Sequence, residues 1–304
     1  MCQGKISVIL SLCETLEVYE MLPPNVVLDP LLTGWLQEDI GRGDRTTMGL
    51  DVLVDKPGQA VWLAKVPGVI AGMPIARRVF QLLEPATELT ALIAEGTPCD
   101  PGVAIAEIHG PLWSLLTGER VALNLVMRLS GIATMTRQYV DILADLPAQL
   151  VDTRKTTPGL RSLEKYATWI GGALNHRMGL DDAVMIKDNH IAAAGSIQAA
   201  VKQIRERIPY PLTIEVETET LAMVQAALAA HVDIIMLDNM TPALMQEAVA
   251  LIRQTNPHTK IEASGNITLE TLPETAKTGV DYISTSAPIT RSPWLDLSMK
   301  VVEG

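Results

Sequence analysis

The chain has 304 residues, 48% of them hydrophobic and 19% charged, a length and composition typical of about two globular domains with a large core. A net charge of −11 and an aromatic content of only 4% argue against binding to nucleic acid or to an anionic membrane surface. The cysteines, Cys2, Cys13 and Cys99, have no metal-ligand or redox spacing, which favours a reduced, cytoplasmic protein.

The first twenty residues contain a short apolar run, Ile6–Leu12, that is only faintly like the centre of a signal peptide. Acidic residues follow the run instead of a cleavage site, and it is too short to cross a bilayer. Met21 is an alternative start, and we interpret residues 1–20 as a non-native or disordered extension. The rest of the chain has no apolar stretch long enough for a membrane span.

Residues 1–128 are predicted to form a mixed α/β domain. Helical spacing of apolar residues covers 28–36 and ends in a glycine-rich loop over 38–44. Short β-rich runs follow at 60–66, 88–94 and 103–109, separated by Pro-Gly turns and by one helix over 74–83. A long helix over 112–145, with a break near Ser130-Gly131, is predicted to lead into the second domain.

Residues 129–288 repeat one pattern six times: a β-rich run, a polar cluster, then an amphipathic helix. The polar clusters lie 21 to 35 residues apart, enough for one strand, one helix and two loops, so the strands are parallel. Such units form either an open doubly wound sheet or a closed barrel, and polar groups at every strand end favour the barrel. Residues 289–304 are predicted to pack back on the first domain. The runs are 148–151, 183–186, 212–214, 234–237, 260–263 and 282–283.

The densest polar cluster follows the first of these runs, from Asp152 to Arg161. Thr153, Arg154 and Lys155 place a hydroxyl, a planar guanidinium and an ammonium side by side, a combination that suits a ligand with several anionic groups. The alternative is a solvated loop with a surface charge pair.

A second cluster combines Asn175-His176-Arg177 with Lys187, which ends the next run. The glycine pair before it lets backbone approach a ligand closely, and the side chains supply hydrogen bonds. Taken singly, His176 is equally well a structural histidine and Lys187 a surface lysine. Their joint position at strand ends favours a binding site.

Carboxylates and small residues follow the later runs. Glu217 and Asp238 suit Mg²⁺, held directly or through water, or sugar hydroxyls, and the alternative is simple charge balance. Backbone N–H groups around Ser264-Gly265-Asn266 and around 284–286 suit a phosphate. Neither a Walker-type loop nor a GxGxxG fingerprint is present, so nucleoside triphosphates and NAD as a hydride carrier lose support.

Together these motifs resemble the quinolinate phosphoribosyltransferase family, and the match covers about residues 28–287. The family implies an α/β fold: an incomplete seven-stranded TIM-like barrel preceded by a mixed α/β sandwich domain. It also implies a homodimer, or an assembly of dimers, with shared active sites in which each N-terminal domain covers its partner's barrel mouth. The matching segments are Glu38 to Thr47, Glu119 to Asn124, Asp152 to Leu160, Asn175 to Arg177, Ile186 to His190, Leu237 to Asn239 and Glu262 to Gly265.

The resemblance assigns roles to individual residues. Two positions depart from the family: Ser286 stands where Gly is usual, which puts the fine geometry of the phosphate loop in doubt, and Ala173 stands where a third consecutive Gly is common. Quinolinate is assigned to Arg154, His176, Arg177, Lys187 and Arg120 of the second subunit, and catalysis to Lys155, Lys187, Glu217 and Asp238, the last two also holding Mg²⁺. Phosphoribosyl pyrophosphate (PRPP) is assigned to Thr153, Arg154, Lys155, Glu217, Asp238, Ser264, Gly265, Asn266, Thr285, Ser286 and Ala287.

The activity implied is phosphoribosyl transfer from PRPP to quinolinate with loss of CO₂, a step of NAD biosynthesis that yields nicotinate mononucleotide and pyrophosphate. A nicotinate phosphoribosyltransferase is the nearest alternative, but one ring carboxylate needs fewer cations. A barrel aldolase with Lys187 as Schiff-base nucleophile and a non-catalytic metabolite-binding relative are further alternatives.

Overall fold

The structure is a computed structural model that describes residues 21–53 and 56–302, so the expectations for residues 1–20 lie outside the described residues. Contacts divide the described chain into two units. The first contains residues up to 135 together with 162–171 and 292–302, and the second contains 136–161 and 172–291. None of the helices in the described ranges is long and apolar enough to cross a membrane.

The first unit is built on a four-stranded antiparallel sheet of order β12-β1-β5-β3, with a separate β2-β4 pair. The strands are buried on the side that carries their hydrophobic residues. Trp62 in β1, for example, is fully buried, and its ring centroid lies 6.3 Å from that of Phe80. The elements are α1 (Asn25–Ile40), α2 (Arg45–Met48), a 3₁₀ turn (Asp51–Leu53), β1 (Pro57–Ala64), β2 (Gly68–Val69), α3 (Met73–Leu83), β3 (Glu88–Ala91), β4 (Pro98–Cys99), β5 (Ala104–Pro111), α4 (Leu112–Leu143), α5 (Arg161–Ile170) and β12 (Leu297–Val302).

Helix α4 is continuous, so the break predicted near Ser130-Gly131 is wrong. The two residues are there for close packing. The Ser130 hydroxyl donates to Ala71 O at 3.2 Å and accepts from Ala71 N at 2.9 Å. A Cβ at Gly131 would overlap the carbonyl oxygen of Pro293, so glycine permits backbone contact at a point where the helix itself is unbroken.

The second unit contains a parallel sheet with the order β6-β11-β10-β9-β8-β7. Its connections are mainly helical, as parallel strands require. The strands and helices are β6 (Gln149–Val151), β7 (Val184–Ile186), α6 (Asp188–Ala194), α7 (Ile197–Arg205), β8 (Ile214–Thr218), α8 (Leu221–Ala229), β9 (Ile234–Asp238), α9 (Pro242–Thr255), β10 (Lys260–Ser264), α10 (Leu272–Ala276), β11 (Tyr282–Ser284) and α11 (Ala287–Thr290).

The α/β class and the barrel-like parallel sheet are confirmed. Where the family resemblance implied seven strands, the described residues contain six strands and one bridge, Val151 with Leu174, beside β6. Because the strands are parallel, their carboxyl ends meet on one side of the sheet. The residues that end them, among them Asp238 and Ser264, are neighbours in register.

Candidate active site

A cavity of about 610 Å³ opens at the carboxyl ends of the parallel strands. This is the edge at which α/β folds bind their ligands, and the volume suits a small molecule. Its lining residues are Asp152, Thr153, Arg154, Lys155, His176, Arg177, Met185, Lys187, Glu217, Met236, Asp238, Asn239, Glu262, Ser264, Gly265, Asn266, Ile267, Ser284, Thr285, Ser286, Ala287 and Arg291. All the predicted site residues are therefore brought together, apart from Arg120.

Two arginines contribute guanidinium groups to the cavity. The Nε of Arg154 is buried, and no hydrogen-bond acceptor for it exists among the described residues. Arg177 donates from Nη1 to Ala183 O at 2.8 Å, which fixes one edge of its guanidinium. Burial lowers the pKa of Arg177, and the positive charge of Arg154 lowers it further. Two half-buried cations that repel each other form a favourable site for an anion.

Lys187 and Glu217 form an ion pair across the cavity. Lys187 directly follows β7 and Glu217 lies near the end of β8, and Nζ is 2.5 Å from Oε2. Asp238, at the end of β9, has a pKa raised by burial and by the charge of Glu217. Two carboxylates that repel each other in a half-buried site favour a bound cation.

Two loops offer backbone groups where a phosphate was predicted. Gly265 has φ +95° and Asn266 φ +52°, and a Cβ at Gly265 would overlap the Asn239 side chain, so only glycine fits. Asn266 Nδ2 donates to Asn239 Oδ1 at 3.1 Å, which ties the loops after β9 and β10 together. In the loop after β11, Thr285 Oγ1 accepts from Ala287 N at 3.2 Å.

Asp152 organises the second predicted cluster. Its carboxylate accepts from Asn175 Nδ2 and from His176 N, both at 2.8 Å. The histidine ring is then held between Arg177 N, which donates to Nδ1 at 2.7 Å, and two buried carboxylates. His176 Nε2 lies 3.1 Å from Glu215 Oε2 and 3.5 Å from Glu262 Oε2.

The close contacts in this buried cluster shift the pKa values of His176 and Glu215. Burial alone would lower the pKa of His176, but hydrogen bonds and the negative charges of Glu215 and Glu262 outweigh it and raise the pKa to about 10. Burial also raises the pKa of Glu215. The two carboxylates favour a proton on Nε2, which lies between them, whereas the Arg177 N–H that donates to Nδ1 opposes a second proton on the ring.

Glu215, Glu262 and Arg291 were not selected from the sequence. The sequence pattern predicts Glu215 in the polar cluster after its strand, whereas β8 extends to Thr218 and includes it. Glu262 lies inside β10, where a buried carboxylate is unexpected. The alternation of strand side chains could have found the first, because Glu215 and Glu217 share one face of β8.

Arg120 lies on α4 in the first unit and does not line this cavity in the part of the chain that the structure describes. Its guanidinium is 3.6 Å from Glu119, and its side chain is 60% exposed. A role for Arg120 in a second subunit's cavity therefore stays a prediction.

Comparisons with known proteins agree with one another. Family models for the N-terminal and C-terminal domains of quinolinate phosphoribosyl transferase match residues 44–130 and 132–300. A probable carboxylating nicotinate-nucleotide pyrophosphorylase from Synechocystis is 63% identical, over 92% of this chain and 95% of its own length. The Bacillus subtilis protein of the same description is 46% identical, over 91% and 94%.

Structural comparison gives the same result. The crystal structure of NadC from Streptococcus pyogenes superposes with a TM-score of 0.87 at 41% identity, covering 92% of this chain and 98% of that one. Both matched domain models lie in the order predicted from the motifs. The chain belongs to the quinolinate phosphoribosyltransferase family.

Proposed function

We propose that the protein transfers a phosphoribosyl group from PRPP to quinolinate with decarboxylation, giving nicotinate mononucleotide, pyrophosphate and CO₂, and that it does so in the cytoplasm. The observation that carries the proposal is the gathering of Arg154, Lys155, Arg177 and Lys187 in one cavity of an acidic protein. Quinolinate brings two carboxylates and PRPP brings a phosphate and a pyrophosphate, so the site has to neutralise several negative charges.

The quinolinate carboxylates are assigned to Arg154, Arg177 and Lys187. Arg154 and Arg177 both line the cavity, and the guanidinium of Arg177 is already oriented by its hydrogen bond to Ala183 O. Lys187 would exchange Glu217 for a substrate carboxylate, or bind the substrate beside it. His176, which also lines the cavity, supports this group through its neighbour Arg177.

PRPP is assigned to the remaining cations, carboxylates and backbone loops of the same cavity. The pyrophosphate is proposed to bind to Thr153, Arg154 and Lys155. The 5-phosphate is proposed to bind to the loops 264–266 and 285–287. The side chains of Glu217 and Asp238 fit Mg²⁺, because their repulsion is relieved by a divalent cation. When bound, Mg²⁺ supplies charge neutralisation for the departing pyrophosphate.

The chemistry follows from these charges. As the bond between ribose C1 and pyrophosphate breaks, Lys155 stabilises the departing anion, and positive charge develops on the sugar. The pyridine nitrogen of the held quinolinate then bonds to C1. The ribosylated ring is cationic, so the carboxylate next to the nitrogen leaves as CO₂, because the electron pair left behind is adjacent to positive charge. A proton on that carbon completes nicotinate mononucleotide.

The functional unit is proposed to be a homodimer with shared sites. The support is that the family resemblance assigns Arg120 to the second subunit's quinolinate, and that its side chain is exposed on the helix. A second copy would then provide it. An assembly of several dimers keeps the same arrangement.

One assay tests the reaction. The protein is incubated with quinolinate carrying ¹³C in the 2-carboxylate, PRPP and Mg²⁺, and labelled CO₂ and nicotinate mononucleotide are measured. We expect equal amounts of both, and none without PRPP. A parallel reaction with nicotinate in place of quinolinate distinguishes the nearest alternative, since turnover of nicotinate without quinolinate turnover would overturn the proposal.

A further inference from the structure

The buried carboxylates Glu215 and Glu262, the second of which lines the cavity, have no place in the reaction described above. We infer that Glu215 and Glu262 are positioning residues for quinolinate: they hold the His176 ring, and the ring holds the backbone of Arg177. The inference rests on the proposed function for its substrate, but its geometry is independent of it.

Both ring nitrogens of His176 are engaged within the protein. Nε2 faces Glu215 Oε2 at 3.1 Å and Glu262 Oε2 at 3.5 Å, and Nδ1 accepts from Arg177 N at 2.7 Å. A ring bound on both sides has no nitrogen left for a substrate carboxylate. His176 therefore acts on quinolinate through Arg177, whose guanidinium is fixed at its other end by Ala183 O.

The strands place the two carboxylates rigidly. Glu215 lies two residues before Glu217 on β8, and Glu262 two residues before Ser264 on β10, so each shares a strand face with a residue that lines the cavity. Side chains on strands hold a site more precisely than side chains on loops. The carboxylates therefore fix the ring from the rigid part of the fold.

The cluster is costly for stability, which argues for function. The side chains of Glu215 and Glu262 are 3% and 4% exposed, and the Oε1 atom of each has no hydrogen-bond partner among the described residues. Buried carboxylates with an unsatisfied oxygen destabilise a fold, and neutral residues of the same size are often better tolerated. If Glu215 and Glu262 served only to stabilise the fold, a neutral amide side chain at each position would do so at a lower cost in free energy.

The first experiment separates affinity from stability. Glu262→Gln and Glu215→Gln keep the size of the side chain and remove its charge. We expect the quinolinate Kd, measured by calorimetry, to rise about tenfold in each variant. The KM for PRPP should stay within about twofold and the Tm should stay equal or rise, because a buried charge is gone. A quinolinate Kd equal to the wild type, or a Tm that falls together with affinity, would overturn the inference.

A double-mutant cycle asks whether the carboxylates act through the ring. In a His176→Asn background, Glu262→Gln should no longer weaken quinolinate binding, because the intermediary is absent. Additive losses would overturn the pathway through His176. Glu164→Gln provides a matched control: this carboxylate is as deeply buried, but it pairs with Arg128, so it should lower the Tm and leave the quinolinate Kd unchanged.

A readout without substrate distinguishes failure of the clamp from failure of the proposed function. In the ligand-free protein labelled with ¹⁵N-histidine, the signals missing from His176→Asn identify that ring. We expect its Nε2 signal to move in Glu215→Gln and Glu262→Gln. Unchanged signals would overturn the inference that Glu215 and Glu262 hold the His176 ring, even if the protein turns over quinolinate. Shifted signals in a protein without turnover would support the contact with the ring and would contradict quinolinate as the substrate.

Discussion

The two units bury carboxylates in different ways. In the first unit, Glu164 is fully buried and accepts from Arg128 Nε at 3.1 Å and Nη2 at 2.7 Å. In the second unit, Glu215 and Glu262 share one histidine, and each keeps an oxygen without a partner among the described residues. The first arrangement satisfies the charge with a guanidinium, whereas the second leaves part of it unsatisfied.

The difference separates a carboxylate that supports the fold from carboxylates that support a site. Glu95 gives a second example in the first unit: it accepts from Gly72 N and Met73 N at the start of α3 and from the Tyr166 hydroxyl at 2.7 Å. Burial raises the pKa of Glu95, and these three donors oppose that rise. Complete satisfaction is the usual state of buried polar groups, so the exceptions around His176 indicate function.

Among the predicted changes in free energy, the largest is the loss of quinolinate binding when a cationic side chain is removed from the cavity. Arg177→Ala and Lys187→Ala each leave a desolvated quinolinate carboxylate without its charged partner, which costs about 2–5 kcal/mol of binding free energy. Calorimetric titration with quinolinate measures it. Lys202→Ala, which removes an exposed lysine from α7, should bind as the wild type does. Wild-type affinity in either cavity variant would remove that residue from the site.

A mixture of two inactive variants should recover activity if subunits share their sites. In a mixed dimer of Arg120→Ala and Lys187→Ala chains, one of the two sites has both original residues. Random exchange makes half of the dimers mixed, so about a quarter of all sites should recover. Turnover after subunit exchange measures this, with exchange checked by native mass spectrometry. Complete exchange without regained turnover would show that Arg120 serves its own chain or only pairs with Glu119.

Breaking the satisfied pair in the first unit should cost stability instead of activity. Glu164→Gln removes the buried carboxylate that pairs with the half-buried Arg128, and we expect the free energy of unfolding to fall by about 3 kcal/mol. Urea denaturation measures the change, and Glu262→Gln is the comparison, with equal or higher stability than the wild type. Equal losses in both variants would erase the distinction between the units.

Within the second unit, removing the half-buried carboxylates Glu217 and Asp238 should weaken chiefly the binding of the sugar donor. Glu217→Ala or Asp238→Ala removes oxygens proposed for Mg²⁺ and ribose hydroxyls, with an expected loss of about 1.5–3 kcal/mol for PRPP. Quinolinate affinity should remain nearly unchanged in Asp238→Ala and should not fall in Glu217→Ala, where the loss of Glu217 frees Lys187 for the substrate. Steady-state kinetics with each substrate varied in turn provides the test, and Glu247→Gln on the exposed face of α9 is the control. Equal losses for both substrates would contradict the division of the cavity.

The sequence predicted the fold and most of the cavity for a physical reason. Parallel strands bring their carboxyl ends together, so polar residues after each apolar run, such as Arg154, Lys187 and Asp238, had to meet. The pattern could not show that β8 continues to Thr218, because Glu215 looks like the start of a loop. Its burial depends on His176, about forty residues away in sequence, and no local pattern records that contact.

The continuous helix α4 is a second case in which a local sequence pattern did not record a contact between distant residues. Ser130-Gly131 indicates a break when only local propensity is considered. Glycine is required at position 131 because the backbone of Pro293, which is distant in sequence, lies against it. Glycine and serine were recognised correctly as special residues, but their purpose was packing.

The smallest predicted effect concerns a carboxylate at the edge of the first unit. Asp44 caps the N-terminus of the short helix α2, where it accepts from Thr46 N at 3.1 Å and Thr47 N at 3.0 Å. Thr117 Oγ1 also donates to it at 3.0 Å, which ties the turn to α4. Loss of such a cap in Asp44→Ala should lower the free energy of unfolding by about 1 kcal/mol.

The same variant has a pH signature with a definite sign. Hydrogen bonds from Thr47 lower the pKa of Asp44 below 3.8, its ordinary value. A lowered carboxyl pKa contributes stability that is fully present above about pH 4 and is lost as the pH falls through the folded-state value. Urea denaturation at pH 7 should therefore show the full difference between wild type and Asp44→Ala, and the difference should shrink below pH 3.8. A difference that stays constant across this range would mean that the hydrogen bonds of Asp44 do not depend on its charge.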